Sequence, residues 1–227
     1  MNSSVAVIIP AGGSGSRLDK KNKKQFFKHK NQSLLWWSIQ PFFALEDKLH
    51  VIVIAIPENI SEEEKECLPQ SKNIVYCIGG STRQESVMNG LNQLAKQSFD
   101  GITIVHDAAR PCLNKLHLFT LIQKIKDSNE GALLCIKVSD TVKRANANTC
   151  VLSTVDRSDL WLAQTPQGAP FTKLYRANQL VLKDNVQVTD DASILEYAGI
   201  PVHIVEDSKQ NVKITCSEDW SIFTQQY

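Results

Sequence analysis

The 227-residue sequence predicts an α/β fold, a mostly parallel twisted sheet with helices on both faces. Two features predict it. Short apolar, β-branched runs recur along the chain with helix-period segments between them, the pattern of a sheet buried on both sides. The first run, Val5 to Ile9, breaks directly into a glycine-rich turn, Pro10-Ala11-Gly12-Gly13-Ser14-Gly15-Ser16-Arg17. A buried strand that opens into such a turn brings backbone N–H groups close to a ligand, because no Cβ stands in the way.

The elements follow in order. Strands are expected at Val5 to Ile9, Val51 to Ile56, Ile74 to Ile78, Ile102 to His106, Ala132 to Ile136 and Val202 to Val205. Helices are expected at Leu34 to Ala44, Ser61 to Leu68, Thr82 to Lys96, Leu116 to Ser128, Pro170 to Leu182, Ala192 to Ala198 and Ser217 to Gln225. Ser61 opens the second of these as a cap with acids in its first turn. The spacing suits one domain over residues 1–227 of Rossmann-like architecture. One segment, 138–157, departs from the alternation. Val138 to Lys143 and Val151 to Asp156 read as two extended stretches joined by the turn-prone Asn146-Ala147-Asn148, a hairpin. Two strands alone are marginal in water, so Val138, Val142, Val151 and Val155 need a cover. That cover is either the chain's own domain or the same arm of a second subunit, and a dimer is expected.

Composition narrows the function classes. Lys and Arg total 25 against 24 Asp and Glu, a formal net charge of +1, so no global field favours nucleic acid or a membrane, and any anion site is local. The first apolar run is too short for a signal peptide or a membrane span, so a soluble protein is expected. The six cysteines form no Cys-x-x-Cys pair or zinc spacing, which suits free thiols in a reducing cytoplasm.

The opening segment carries the chemistry. Arg17, Lys20, Lys21, Lys23 and Lys24 trail the glycine turn, and cations beside exposed backbone N–H groups make a polyphosphate site. The Walker A string is absent, and Leu18 stands where a dinucleotide fingerprint needs its third glycine. Ligands of open parallel sheets sit beyond the carboxyl ends of the strands, so the other strand ends belong to the same reading. Gly79-Gly80-Ser81-Thr82-Arg83-Gln84-Glu85-Ser86-Val87 is a second glycine turn opening a helix, suited to a base or ribose. In His106-Asp107-Ala108-Ala109-Arg110-Pro111, Asp107 is placed to bond a ribose hydroxyl, to meet magnesium held by phosphates, or to cap the turn. Thr141, Arg157, the segment Ala163-Gln164-Thr165-Pro166-Gln167 and the segment Asn211-Val212-Lys213-Ile214-Thr215 are candidates for holding an acceptor. Thr189-Asp190-Asp191 reads as a cap and acidic first turn. None of the five histidines has a partner at catalytic spacing, and no Ser/His/Asp arrangement is evident. A phosphate nucleophile needs no general base, so positioning and positive charge suffice.

These five blocks, with Lys24-Gln25, resemble the 2-C-methyl-D-erythritol 4-phosphate cytidylyltransferase family from Val5 to about Asp219. The resemblance implies transfer of CMP from CTP to methylerythritol phosphate with release of pyrophosphate, and Mg2+ bound with the triphosphate. It implies a nucleotide site at Ala11, Gly12, Gly80, Ser86 and Asp107 with Ala108 nearby, which Gly13 and Gly15 of the turn join. It implies transition-state cations at Arg17 and Lys24, and acceptor-positioning groups at Arg157 and Lys213 with Thr141 beside them. It further implies a homodimer in which the hairpin carries Arg157 into the other subunit's site. Two positions depart from the family pattern: Ser81 stands where an acid is frequent, and Asp207 follows Glu206 where glycine is frequent. A polyol phosphate such as ribitol 5-phosphate is the alternative acceptor, and a catalytically silent nucleotide-binding protein is the alternative class.

Overall fold

The computed structural model describes residues 4–12 and 23–226. Its strands are β1 (Val5–Pro10), β2 (Lys28–His29), β3 (Gln32–Ser33), β4 (Leu49–Ile56), β5 (Ile74–Ile78), β6 (Ile102–Val105), β7 (Gly131–Lys137), β8 (Val142–Ala145), β9 (Val151–Val155), β10 (Trp161–Pro170) and β11 (Val202–Glu206). Its helices are α1 (Leu34–Ile39), α2 (Glu62–Glu66), α3 (Arg83–Lys96), α4 (Lys115–Ser128), α5 (Phe171–Lys183), α6 (Asp191–Tyr197) and α7 (Ser217–Gln226). The central sheet has seven strands in the order β11-β7-β10-β6-β1-β4-β5. Only β10 runs antiparallel to its neighbours among these strands; β11–β7, β6–β1, β1–β4 and β4–β5 are parallel pairs.

Side-chain alternation along β1 sorts the core into two faces. Val5, Val7 and Ile9 join Leu35, Ile39 and Phe42 together with Leu118, Leu121 and Ile125 of α4. Ala6 and Ile8 join Val87, Leu91 and Leu94 of α3 with Leu174 and Val181 of α5. This period of two is what a strand covered on both faces requires. Helix α3 lies close on β1: a Cβ on Gly90 would come within 2.7 Å of Ile8 Cγ2. That approach sets the position of the α3 N-terminus beside the end of β1.

Three elements depart from the sequence reading. The first expected helix stops at Ile39 and continues as a 3₁₀ segment through Lys48, since Pro41 has no N–H to extend the α-helical ladder. The short β2–β3 ribbon was not expected. The main addition is β10, inserted antiparallel between β6 and β7. Pro166 interrupts its ladder with a register shift between Ala163 and Gln167, and a proline inside a run argues against a central strand when only the sequence is read. Strands β8 and β9 form their own two-stranded sheet, with Val142 opposite Val155. The hairpin grows out of the β7–β10 pair, where Trp161 faces Lys137 and Val138 N–H donates to Leu160 O at 3.1 Å.

Candidate active site

The carboxyl ends of β1, β5 and β6 converge, and the residues there are held by bonds that cross between loops. Ala11 N–H donates to Ala55 O at 2.8 Å, and Gln25 Nε2 donates to Ala11 O at 2.8 Å. Ser86 stands at the centre of the two glycine turns: Gly80 N–H donates to its Oγ at 3.0 Å, and Oγ donates to Thr82 O at 2.9 Å. A Cβ on Gly79 would come within 2.9 Å of that oxygen, and one on Gly12 within 3.2 Å. The turns therefore approach each other only because side chains are missing there. Thr82 caps α3 in a reciprocal box with Glu85. Glu85 Oε2 also accepts the N–H and the Oγ–H of Ser81, each at 2.6 Å, so the departure at Ser81 still has a carboxylate beside it.

Asp107 is the hub of charge. Lys213 Nζ lies 2.7 Å from Oδ2, Arg83 Nε 3.2 Å from Oδ1, and Arg110 Nε 3.7 Å from Oδ2. Burial alone would raise its pKa, but Arg83 and Lys213 overcome that and hold the carboxyl well below the usual range. His106 is fully buried, and its contacts define its tautomer. Asp107 N–H donates to Thr165 Oγ1 at 3.0 Å, that hydroxyl faces His106 Nδ1 at 3.1 Å, and His106 Nε2 faces Arg110 O at 3.0 Å. A chain that is satisfied throughout puts the proton on Nε2. Burial pushes the His106 pKa down to about 4, so the ring is neutral and braces the loop that presents Asp107.

The C-terminal segment closes the site. Ile214 N–H donates to Ala109 O at 2.8 Å, and Ile214 is buried with Leu34, Ala109 and Phe223. Lys24 Nζ donates to Ile214 O at 2.8 Å. Lys24 thus reaches, from far away in sequence, the short segment that carries Lys213. Asp207 strengthens this arrangement: its carboxylate accepts from Asn211 Nδ2 at 2.7 Å and pairs with His117. Asn211 in turn donates to Thr165 O at 2.8 Å, and its carbonyl accepts from Arg110 Nη1 at 2.6 Å.

Ala11, Gly12, Gly80, Ser86, Asp107, Ala108, Lys24 and Lys213 therefore belong to one strand-end region. Gly13, Gly15 and Arg17 lie outside the described residues. Thr141 and Arg157 lie elsewhere, exposed on the hairpin. Arg157 Nη1 donates to Ser139 O in its own arm, and Lys209 Nζ donates to Ser139 Oγ at 2.9 Å. The residues not chosen from sequence are Arg83, Arg110 and Thr165, all within the quoted blocks, and Asp191, which looked like ordinary helix-start acidity. Asp190 is the cap of α6, as expected. Asp191 instead is fully buried against Arg83 Nη2 at 2.8 Å.

The donor set tests the magnesium expectation. Among the described residues no group of three His, Cys, Asp or Glu side chains is placed to hold a metal ion. Asp107, the expected carboxylate ligand, has Arg83 and Lys213 on its two oxygens. These side chains alone do not fit a resident divalent cation.

A glycine-turn strand end in a mainly parallel sheet, ringed by cations drawn from distant loops, is the site of a nucleotide-binding α/β protein. The family model for 2-C-methyl-D-erythritol 4-phosphate cytidylyltransferase matches residues 5–225. The chain belongs to that family. It is 38% identical over 213 residues to the enzyme of that name from Acinetobacter baylyi, covering 93% of this chain and 88% of the relative. It is 35% identical over 222 residues to that from Haemophilus influenzae, covering 98% and 96%. The crystal structure of the Francisella tularensis enzyme superposes with a TM-score of 0.83 at 34% identity, covering 99% of this chain and 100% of that one. That from Thermus thermophilus gives 0.81 at 26% identity, covering 98% of each chain. Among the described residues no helix is long and apolar enough to cross a membrane.

Proposed function

We propose that the chain transfers CMP from CTP to 2-C-methyl-D-erythritol 4-phosphate, giving 4-diphosphocytidyl-2-C-methyl-D-erythritol and pyrophosphate in non-mevalonate isoprenoid precursor synthesis. The observation that carries this reading at the level of residues is that Lys24 bonds the backbone of the same C-terminal segment whose Lys213 pairs with Asp107.

The acceptor phosphate oxygen attacks the α-phosphorus of CTP in line. A new P–O bond forms as the bond from the α-phosphorus to its bridging oxygen breaks, and pyrophosphate carries that electron pair away. The turns at Gly12 and Gly80 leave room for backbone to approach the nucleotide, with Ser86 between them and Asp107 and Ala108 at the facing strand end. Arg17 and Lys24 offset charge building on the transferring and leaving phosphates, a preorganised electrostatic effect. Lys213 holds the acceptor phosphate as a point charge, with one of its three N–H donors on Asp107 and the others turned to the phosphate. Arg157 and Thr141 act from the hairpin of a second subunit in a homodimer; the exposure of both residues on the arm supports this. Mg2+ would enter with the triphosphate, held chiefly by phosphate oxygens and water and supplying charge neutralisation, since both oxygens of Asp107 are taken by Arg83 and Lys213. A cytoplasmic location agrees with free thiols and with substrates of this kind.

Pyrophosphate release tests the reading directly. CTP with methylerythritol phosphate is expected to give turnover, and ribitol 5-phosphate to give little. Arg17→Ala is expected to lower turnover about 10²- to 10³-fold while the circular dichroism stays native. Equal turnover with the two acceptors would move the assignment to the broader polyol phosphate class, and no release with either would make the protein a silent nucleotide binder.

A further inference from the structure

We propose that Asp191 is a positioning residue that sets the Lys213 ammonium through Arg83 and Asp107. Four segments distant in sequence meet in one line of charge. Asp191, the first residue of α6, lies 2.8 Å from Arg83 Nη2; Arg83, the first residue of α3, reaches Asp107 Oδ1 through Nε at 3.2 Å; Lys213 Nζ closes on Asp107 Oδ2 at 2.7 Å.

The geometry explains why the guanidinium matters. Nε and Nη2 lie on the same edge of a rigid plane, so two carboxylates on that edge determine its orientation as well as its place. Asp107 is thereby bound through Oδ1 and presents Oδ2 to Lys213. Without Asp191 the same edge of Arg83 is free to pair with both oxygens of Asp107, in direct competition with the ammonium.

The cost of Asp191 also points to a role beyond holding the fold. Its side chain is fully buried, and among the described residues neither of its carboxylate oxygens has a hydrogen-bond partner, so the 2.8 Å approach to Arg83 Nη2 is an ion pair without hydrogen-bond alignment. A buried ion pair of that kind is a weak source of stability compared with packed apolar residues. Helix α6 is meanwhile secured without it. Asp190 and Ser193 form its capping box, Gln167 Oε1 accepts Ala192 N–H at 2.7 Å, and Ile194 and Leu195 are in the core. What Asp191 adds is the placement of Arg83.

Two variants of the full-length, ligand-free protein labelled with 15N-lysine test this. The Lys213 Nζ resonance, assigned by its loss in Lys213→Met, is expected to shift or broaden in Asp191→Asn and likewise in Arg83→Lys, whose single ammonium cannot span two carboxylates. A resonance unmoved in both variants overturns the proposal, as does a fall in melting temperature alone. Arg83→Lys keeps the test in force should Asp191→Asn fold poorly. The kinetic arm rests on the reading that Lys213 holds the acceptor phosphate. Asp191→Asn is expected to raise the acceptor KM about fivefold, and to add nothing in a Lys213→Met background, the non-additivity of residues that act in series. Additive effects there overturn the proposal. If Lys213→Met leaves the acceptor KM unchanged, the acceptor assignment falls and the resonance alone judges Asp191.

Discussion

The strand-end cluster and the hairpin are opposite solutions to the same demand for placed cations. Around Asp107, the charged groups come from α3, α6, the loop after β6 and the C-terminal segment, and each is bound by a bond to another. On the hairpin, Arg157 is exposed and bonded within its own arm, and Val151 and Leu152 remain 57% and 61% exposed. Among the described residues, the charges of the first region pair with one another within one chain. The second leaves apolar surface that a two-stranded sheet cannot cover by itself. The cations around Asp107 are thus embedded in loops braced by the core, while Arg157 rides on an exposed arm.

Breaking the cluster is expected to have the largest effect on the fold. Asp107→Ala removes the anion shared by Arg83, Arg110 and Lys213, leaving the buried Arg110 without its carboxylate, and is expected to cost about 3 kcal/mol in a denaturant titration. A loss below about 0.5 kcal/mol would mean that the cluster is no more braced than the arm.

The arm breaks in a different way. Arg157→Ala is expected to raise the acceptor KM about 10- to 100-fold, the scale of a lost charge-assisted hydrogen bond, with the CTP KM little changed. Lys213→Ala is expected to be impaired at the same step. Mixing the two variants is expected to restore turnover, because some shared sites would draw an intact Arg157 from one subunit and an intact Lys213 from the other. No recovery on mixing would place Arg157 in its own subunit's site.

Acid sharpens the contrast. Burial holds His106 neutral with its pKa pushed down to about 4, whereas the unfolded chain takes up that proton near 6.5. Stability from this group is complete above about pH 6.5 and drains as pH falls toward 4. The loop presenting Asp107 is expected to loosen over that window, and His106→Gln to flatten that part of the pH profile of the melting temperature. The smallest expected effect is on the arm's own stability. Leu152→Asp, at an exposed position, is expected to change chain stability by less than about 0.5 kcal/mol yet to shift sedimentation from dimer toward monomer. A large loss of chain stability would show instead that the arm packs on its own subunit.

Much of this was legible in the sequence, and the exceptions have physical causes. Alternating apolar runs located the six parallel strands, because a strand buried on both faces must be apolar along its length. The cap at Ser61 located its helix, because an orphan N–H at a helix start needs a nearby oxygen. The glycine turns and Asp107 were visible because close backbone approach and an isolated acid beside apolar residues leave a local mark. Strand β10 was hidden by Pro166, whose missing N–H signals a break even though the chain resumes its ladder at Gln167. Asp191 was hidden for a different reason: an acid in a helix's first turn is what the macrodipole favours anyway, and nothing local distinguishes a solvated one from one buried against Arg83. The sequence by itself therefore determined the layers, the turns and the candidate charges. Only the tertiary structure decided which charges meet, since that depends on bringing residues 24, 83, 107, 191 and 213 to one end of the strands, a matter of strand order and not of spacing.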